Sequence, residues 1–166
     1  GNPGAFTSAE LAHIQAVWRI VSEKYAAFDV DVTTQDVGSG KWDRASGADR
    51  EYGVRVVITN DSSASQSACQ NACSGVAWIG QFNATTSYTD YWQPAWVFSN
   101  LTYGSVALTA NTIAHEIGHT VGLNHDGTTT DAYYGGHSNR SPLMGGGVNG
   151  VQQFSRGEHV AAHNPE

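Results

Sequence analysis

Basic side chains are scarce in this sequence, with eight Lys and Arg against 15 Asp and Glu in 166 residues, a formal charge of −7. Sequence-independent binding to nucleic acid needs a basic face that displaces counterions from phosphates, and so few cations cannot assemble one. There is also no polybasic run to hold an anionic membrane surface. Apolar residues nowhere approach the roughly 18 consecutive positions of a membrane-crossing helix, so no span is expected. The opening GNPGAFTSAE lacks the charged and apolar segments of a signal peptide, so an exported form would already have lost its leader. Internal repeats and low-complexity linkers are missing as well, which leaves residues 1–166 as one expected domain.

Cysteine is nearly absent. The pair present, Cys69 and Cys73 in CQNAC, is spaced one residue too far for a thioredoxin-type C-x-x-C and has no second pair with which to close a zinc site. A helical turn or tight loop would bring two such Cα atoms into bridging range. A local disulfide is expected, with two free thiols as the alternative. The Gly-, Ser-, Thr- and Asn-rich, Lys-poor composition has an extracellular character and favours the bridge.

Among the patterns that are there, TSAELAHIQAVWRIVSEKYAAF opens with Thr7-x-x-Glu10, a capping box, and then spaces Leu11, Ile14, Val17 or Trp18, Val21 and Tyr25 as on one face of a long helix. FDVDVTT alternates Phe28, Val30 and Val32 with polar residues and reads as a half-buried strand. No D-x-D-x-D-G loop follows its acids, so calcium is left open without a motif to support it. YGVRVVITN, GVAWIGQF and PAWVFSN read as further strands, and NATTSYTDYWQ between the last two crowds Tyr88, Tyr91 and Trp92 together. From Ser105 a second helical pattern carries Val106, Ala110, Ile113, Ile117 and Val121 to a stop at Gly122. The stretch from Asp126 to Gln153 has no period and holds seven glycines, and Ser155-x-x-Glu158 repeats the capping box before a final helix to about His163. Helix, strands, helix, irregular Gly-rich segment and terminal helix make an α/β (α+β) layout without βαβ repetition.

The chemistry concentrates in HEIGHTVGLNHD, residues 115–126. His115 and His119 stand four apart on the second helix, so both imidazoles leave one face and reach a common ion. Ile113, Ile117 and Val121 would bury the opposite face. Glu116 lies too far round to be a third ligand on that turn but can reach a metal-held water. If the helix stops at Gly122, a turn cheap only for glycine swings His125 to the same ion. Three neutral imidazoles leave a fourth position open, as in a catalytic rather than a structural zinc site.

This stretch resembles the long zinc signature H-E-x-x-H-x-x-G-x-x-H of the metzincin metallopeptidases, and the single methionine, Met144 in SPLMG, stands where their Met-turn would be. Asp126 directly after His125 is similar to the reprolysin (adamalysin) branch. The resemblance is specific from Thr112 to Met144. It implies a two-lobed domain, upper lobe to about residue 122 and lower lobe from 123 to 166, with a mixed twisted sheet, a long active-site helix and an irregular C-terminal lobe ending in a helix. It implies one catalytic Zn2+ on His115, His119 and His125, Glu116 as general base and acid, Gly122 as the turn between lobes, Met144 as an apolar floor and Asp126 as an anchor of the turn. By the same resemblance, residues 75–82 form the sheet edge along which an extended peptide binds, with Gly75, Val76, Ala77, Trp78, Ile79 and Gly80 on that edge. The wall of the pocket for the residue after the cut would be residues 137–143, including Pro142 and Leu143, with residues 145–148 behind. His137 is not placed among the ligands.

The expected function is that of a secreted, monomeric zinc endopeptidase acting on protein or peptide substrates. Zinc lowers the pKa of its bound water to roughly 7, and Glu116 takes the proton as the carbonyl is attacked. Two rival readings stay open: a zinc hydrolase on a non-peptide amide, and an inactive zinc-bearing binding module. The presence of Glu116 speaks against the second. Two departures stand out. Full-length reprolysins carry more cysteines, and Gly145, Gly146 and Gly147 offer no tyrosine two residues after the Met-turn, as astacins and serralysins do. Tyr133 and Tyr134 come earlier, and nothing in their spacing aims either at the metal.

Overall fold

The computed structural model describes residues 6–85, 92–148, 150–156 and 159. In chain order its elements are helix α1 (Ser8–Lys24), a 3-10 turn (Ser39–Lys41), strand β1 (Val56–Thr59), helix α2 (Ser62–Cys69), strands β2 (Gly75–Val76) and β3 (Ala95–Phe98), helix α3 (Val106–Thr120), and strands β4 (Arg140–Pro142) and β5 (Val151–Gln153). The mixed α/β class expected from the sequence is the class observed.

The capping box at Thr7 is formed. The Thr7 hydroxyl accepts the Glu10 N–H, and the Glu10 carboxylate accepts the Thr7 N–H at 2.7 Å. Val17, Val21 and Tyr25, four residues apart, then make one buried stripe on α1. They pack with Ala110, Ile113 and Ala114 of α3, Val97 of β3 and Leu143. Methyl side chains at Ala110 and Ala114 let the helices lie close enough for the Tyr25 hydroxyl to donate to the Ala114 carbonyl at 2.9 Å. Burial drives the Tyr25 pKa far above its ordinary value, so the phenol stays a donor. Each Val, Ile or Leu side chain of this cluster contributes about 1.5–3 kcal/mol on burial.

Strand β3 is central in a three-stranded sheet ordered β1-β3-β2, parallel to β1 (Val56↔Ala95) and antiparallel to β2 (Val76↔Trp96). Its apolar run AWVF fits that place, with Val97 and Phe98 fully buried. A separate parallel pair, β4 with β5 (Ser141↔Gln152), lies in the Gly-rich half. The Tyr25, Phe28 and Phe154 rings, with centroids 5.4–5.5 Å apart, tie this half to the end of α1.

Several expectations are corrected. Residues 28–33 are not a strand. Phe28 and Val30 are exposed, Val32 packs on the core, and its carbonyl accepts the Trp18 indole N–H at 2.6 Å. Alternation supplies a face but not a partner, and both neighbours of β3 are already β1 and β2. The third expected strand shrinks to Gly75–Val76 because the chain then turns to cap α3: the N–H groups of Gly80 and Phe82 donate to the carbonyls of His119 (2.9 Å) and Thr120 (2.8 Å). Helix α2 was not anticipated, since SSASQSAC has no apolar stripe; Asp61 caps it by accepting the Ser63 N–H at 2.8 Å. The disulfide expected between Cys69 and Cys73 closes the turn after it, with Cα atoms 6.1 Å apart. Most of the final helix expected from Ser155, and Tyr88 and Tyr91, lie outside the described residues. Among the described residues no helix is long and apolar enough to cross a membrane.

Candidate metal centre

Helix α3 begins at Ser105, whose hydroxyl accepts the Leu108 N–H, and ends in a Schellman turn. The Leu123 N–H reaches back to the Gly118 carbonyl (3.0 Å) and the Gly122 N–H to that of His119 (2.9 Å). Gly122 takes φ +107°, and nothing lies within 4 Å of where its Cβ would be. Conformation rather than space calls for glycine there. Val121, expected on the buried face, is exposed beside this turn, whereas Ile113 and Ile117 pack on the core as expected.

Past the turn the chain returns His125 to His115 and His119. One ring nitrogen from each lies within 4.8 Å of the other two. His115 Nδ1 is 2.8 Å from the Leu143 carbonyl and His119 Nδ1 is 2.7 Å from that of Leu123. A carbonyl only accepts, so Nδ1 carries the proton and Nε2 presents a lone pair. His119 Nε2 faces His125 Nε2 at 3.0 Å, a pair satisfied by a shared cation or by a proton on His125. Burial lowers the pKa of His115 to about 4, the Leu143 bond opposing and the neighbouring imidazoles adding to the shift. Burial and then His119 lower His125 to about 4, and burial lowers His119. All three are neutral at neutral pH, the state that binds a metal. The residues fit Zn2+: three neutral imidazoles from one helix and its following turn, two of them oriented by backbone carbonyls.

Glu116 points into the same cleft. It is 5% exposed, and burial raises its pKa to about 8. A divalent cation beside it acts in the opposite direction. Room for the carboxylate comes from β2: a Cβ on Gly75 would stand 2.6 Å from Glu116 Oε1 and 2.7 Å from its Cγ. Met144 lies against the helix turn that carries the histidines, where a Cβ on Gly118 would meet its sulfur at 2.5 Å. Gly118 therefore has a role that sequence reasoning missed, because the motif leaves that position free. Asp126 is fully buried; its N–H donates to the Met144 carbonyl (2.9 Å), and its own carbonyl accepts the Tyr134 N–H (2.7 Å).

The cleft encloses about 630 Å³. Gly75, Val76, Ala77, Ile79 and Leu143 line it, as do residues 145–148; Trp78, Gly80 and Pro142 are outside the lining. Trp78 instead meets Trp92 edge to face at 4.2 Å, and Pro142 is buried. His137 is turned away, its Nδ1 3.0 Å from the Tyr134 hydroxyl and its ring stacked on His159 at 3.7 Å. Tyr133, which nothing in the sequence aims at the metal, is nonetheless brought to the site. Its ring lies 4.1 Å from that of His125 and faces the cleft, a placement set by the loop rather than by any spacing in the sequence.

A family model described as metallo-peptidase family M12 (Reprolysin_5) matches residues 42–149, more than half of the chain, and takes in both the histidine motif and Met144. No curated protein matches the chain significantly.

Proposed function

Because the chain belongs to metallopeptidase family M12, we propose that it is a secreted zinc endopeptidase whose residues 1–166 form one catalytic domain, with His115, His119 and His125 as ligands. The observation that carries this reading is the convergence of three imidazole nitrogens within 4.8 Å beside the buried carboxylate of Glu116, in an open cleft. Zn2+ held by His115, His119 and His125 would supply Lewis acidity toward a carbonyl oxygen and toward water. Glu116 accepts the proton that the attacking water loses and delivers it to the leaving amine nitrogen, so one carboxylate serves as base and then as acid. The partly apolar surroundings that raise its pKa also make it a competent proton carrier near neutrality. Leu143 and Leu123 hold two imidazoles through their carbonyls, Met144 packs beneath the turn and Asp126 braces it.

Substrate follows from the edge. Among the described residues strand β2 pairs with β3 on one side only, and its residues line the cleft, which favours an extended peptide laid along it by backbone hydrogen bonds. The bridge between Cys69 and Cys73 is of a kind that persists in oxidising compartments, which supports export.

The test is incubation with a protein mixture followed by mass spectrometry of the new termini. Internal cuts that stop on chelation and resume on adding Zn2+ are expected. Cuts that persist under chelation, or turnover confined to small non-peptide amides, would overturn the proposal.

A further inference from the structure

The three imidazoles are not held alike. His115 and His119 each have Nδ1 on a backbone carbonyl, whereas among the described residues no carbonyl partners Nδ1 of His125. What His125 has instead is the face of Tyr133, with ring centroids 4.1 Å apart and planes inclined by 38°. We infer that Tyr133 is the positioning residue for His125, its ring replacing the carbonyl that orients each of the other two imidazoles. The inference rests on the reading of these histidines as a metal site.

The surrounding backbone is built to keep that ring in place. The Tyr134 N–H donates to the Asp126 carbonyl at 2.7 Å, and the Tyr134 carbonyl accepts the Gly146 N–H at 3.0 Å, so the residue after Tyr133 is pinned on both sides. Tyr134 is itself buried, its hydroxyl 3.0 Å from Nδ1 of both His137 and His159. Tyr134 is thus anchored outside the cleft lining, while Tyr133 beside it faces the cleft. Behind Tyr133 stands Gly146, where a Cβ would lie 2.9 Å from the Tyr133 Cβ and 3.6 Å from its Cγ. The second glycine after Met144 thus leaves the room in which the Tyr133 ring rests on His125. The hydroxyl takes no part in this contact, so a phenyl ring should serve as well.

The experiment measures zinc affinity, by competition with a chromogenic chelator, and the visible spectrum of the Co2+-loaded protein, for the wild type, Tyr133→Phe, Tyr133→Leu and Gly146→Ala. Loss of a group that orients a ligand from behind costs about 10–100-fold in metal affinity. A fall of that size with a shifted cobalt spectrum is expected for Tyr133→Leu, and a smaller fall for Gly146→Ala. Tyr133→Phe should keep wild-type affinity and spectrum. Gly146→Ala should add no further loss of zinc affinity in the Tyr133→Leu background, since its Cβ still meets that of residue 133 but the ring through which it would act on His125 is gone. Wild-type affinity and spectrum in Tyr133→Leu would overturn the inference, and so would an equal loss in Tyr133→Phe, which would assign the effect to the phenol. Should Tyr133→Leu fail to fold, Gly146→Ala decides alone: unchanged affinity and spectrum refute the inference. A wild-type protein that binds no zinc would bring down the metal-site reading itself, which separates that failure from this one.

Discussion

His115 and His119 leave a regular helix, whereas His125 leaves an irregular segment, and the two regions place their side chains by different physics. In α3, position comes from repetition. Ala110, Ile113 and Ala114 bury one face, and the histidines, four residues apart, share another. Between residues 123 and 147, position comes from backbone running against backbone. Cβ atoms on Gly145 and Gly147 would overlap the carbonyl oxygens of Tyr134 and Gly135. A helix is specified by what its side chains bury, and this segment by side chains it cannot have.

The largest effect should come from the helix. Glu116→Gln, with metal content unchanged, is expected to lower kcat by about 10²–10⁴-fold or more, since the carboxylate is used twice. Undiminished turnover in a zinc-loaded variant would remove Glu116 from the mechanism. The next test sets two glycines against each other in chemical denaturation. Gly147→Ala should cost up to about 3 kcal/mol, because its Cβ collides with fixed backbone. Gly122→Ala should cost about 1 kcal/mol, from conformation alone. Gly122→Asn should cost less than Gly122→Ala, whereas Gly147→Asn should recover nothing. Equal costs at the two sites would erase the distinction between the regions.

Acid offers a third probe. His115 and His125 have folded pKa values of about 4, below the 6.5 of a free imidazole, so the unfolded chain takes up protons first as pH falls. Their contribution is present above about pH 6.5 and is lost progressively toward pH 4, with protons displacing any bound metal over the same range. Thermal unfolding across that window should show a falling Tm, and added Zn2+ should move the fall to lower pH; a flat Tm would contradict the burial of these rings. The smallest effect is expected from the disulfide, which lies in neither region. Replacing Cys69 and Cys73 together by Ser should lower stability by about 2 kcal/mol or less, as the closed loop is short, and leave kcat unchanged. Cys69 and Cys73 stand at the wall of the cleft, so loss of activity in a folded double variant would give the bridge a part in shaping it.

The same division explains what could be read from the sequence. The Thr7 cap, the Val17–Val21–Tyr25 stripe, the buried run at Ala95–Phe98 and the turn at Gly122 all follow from periodicity or backbone preference, so they were legible, as was the grouping of His115, His119 and His125. Helix α2 escaped because its residues are small and polar with no stripe to betray a period. Residues 28–33 misled because alternation is visible locally and strand pairing is not. Gly118 and Tyr133 escaped because each is defined by one long-range contact, with Met144 and with His125, that no spacing encodes.

The bonds from Gly80 and Phe82 to the last carbonyls of α3 join the loop that follows β2 to the helix bearing His115, Glu116 and His119. That loop has exposed side chains at Trp78 and Ile79, while the amides of Gly80 and Phe82 are committed to the helix end. The loop that continues from the wall of the groove is thereby fastened to the proposed catalytic helix. A peptide docking on this wall finds it already ordered, and the conformational entropy lost on binding falls on the peptide. Affinity should then depend on how extended the free peptide already is, so a pre-stiffened segment of a substrate would be engaged ahead of a flexible one of the same sequence.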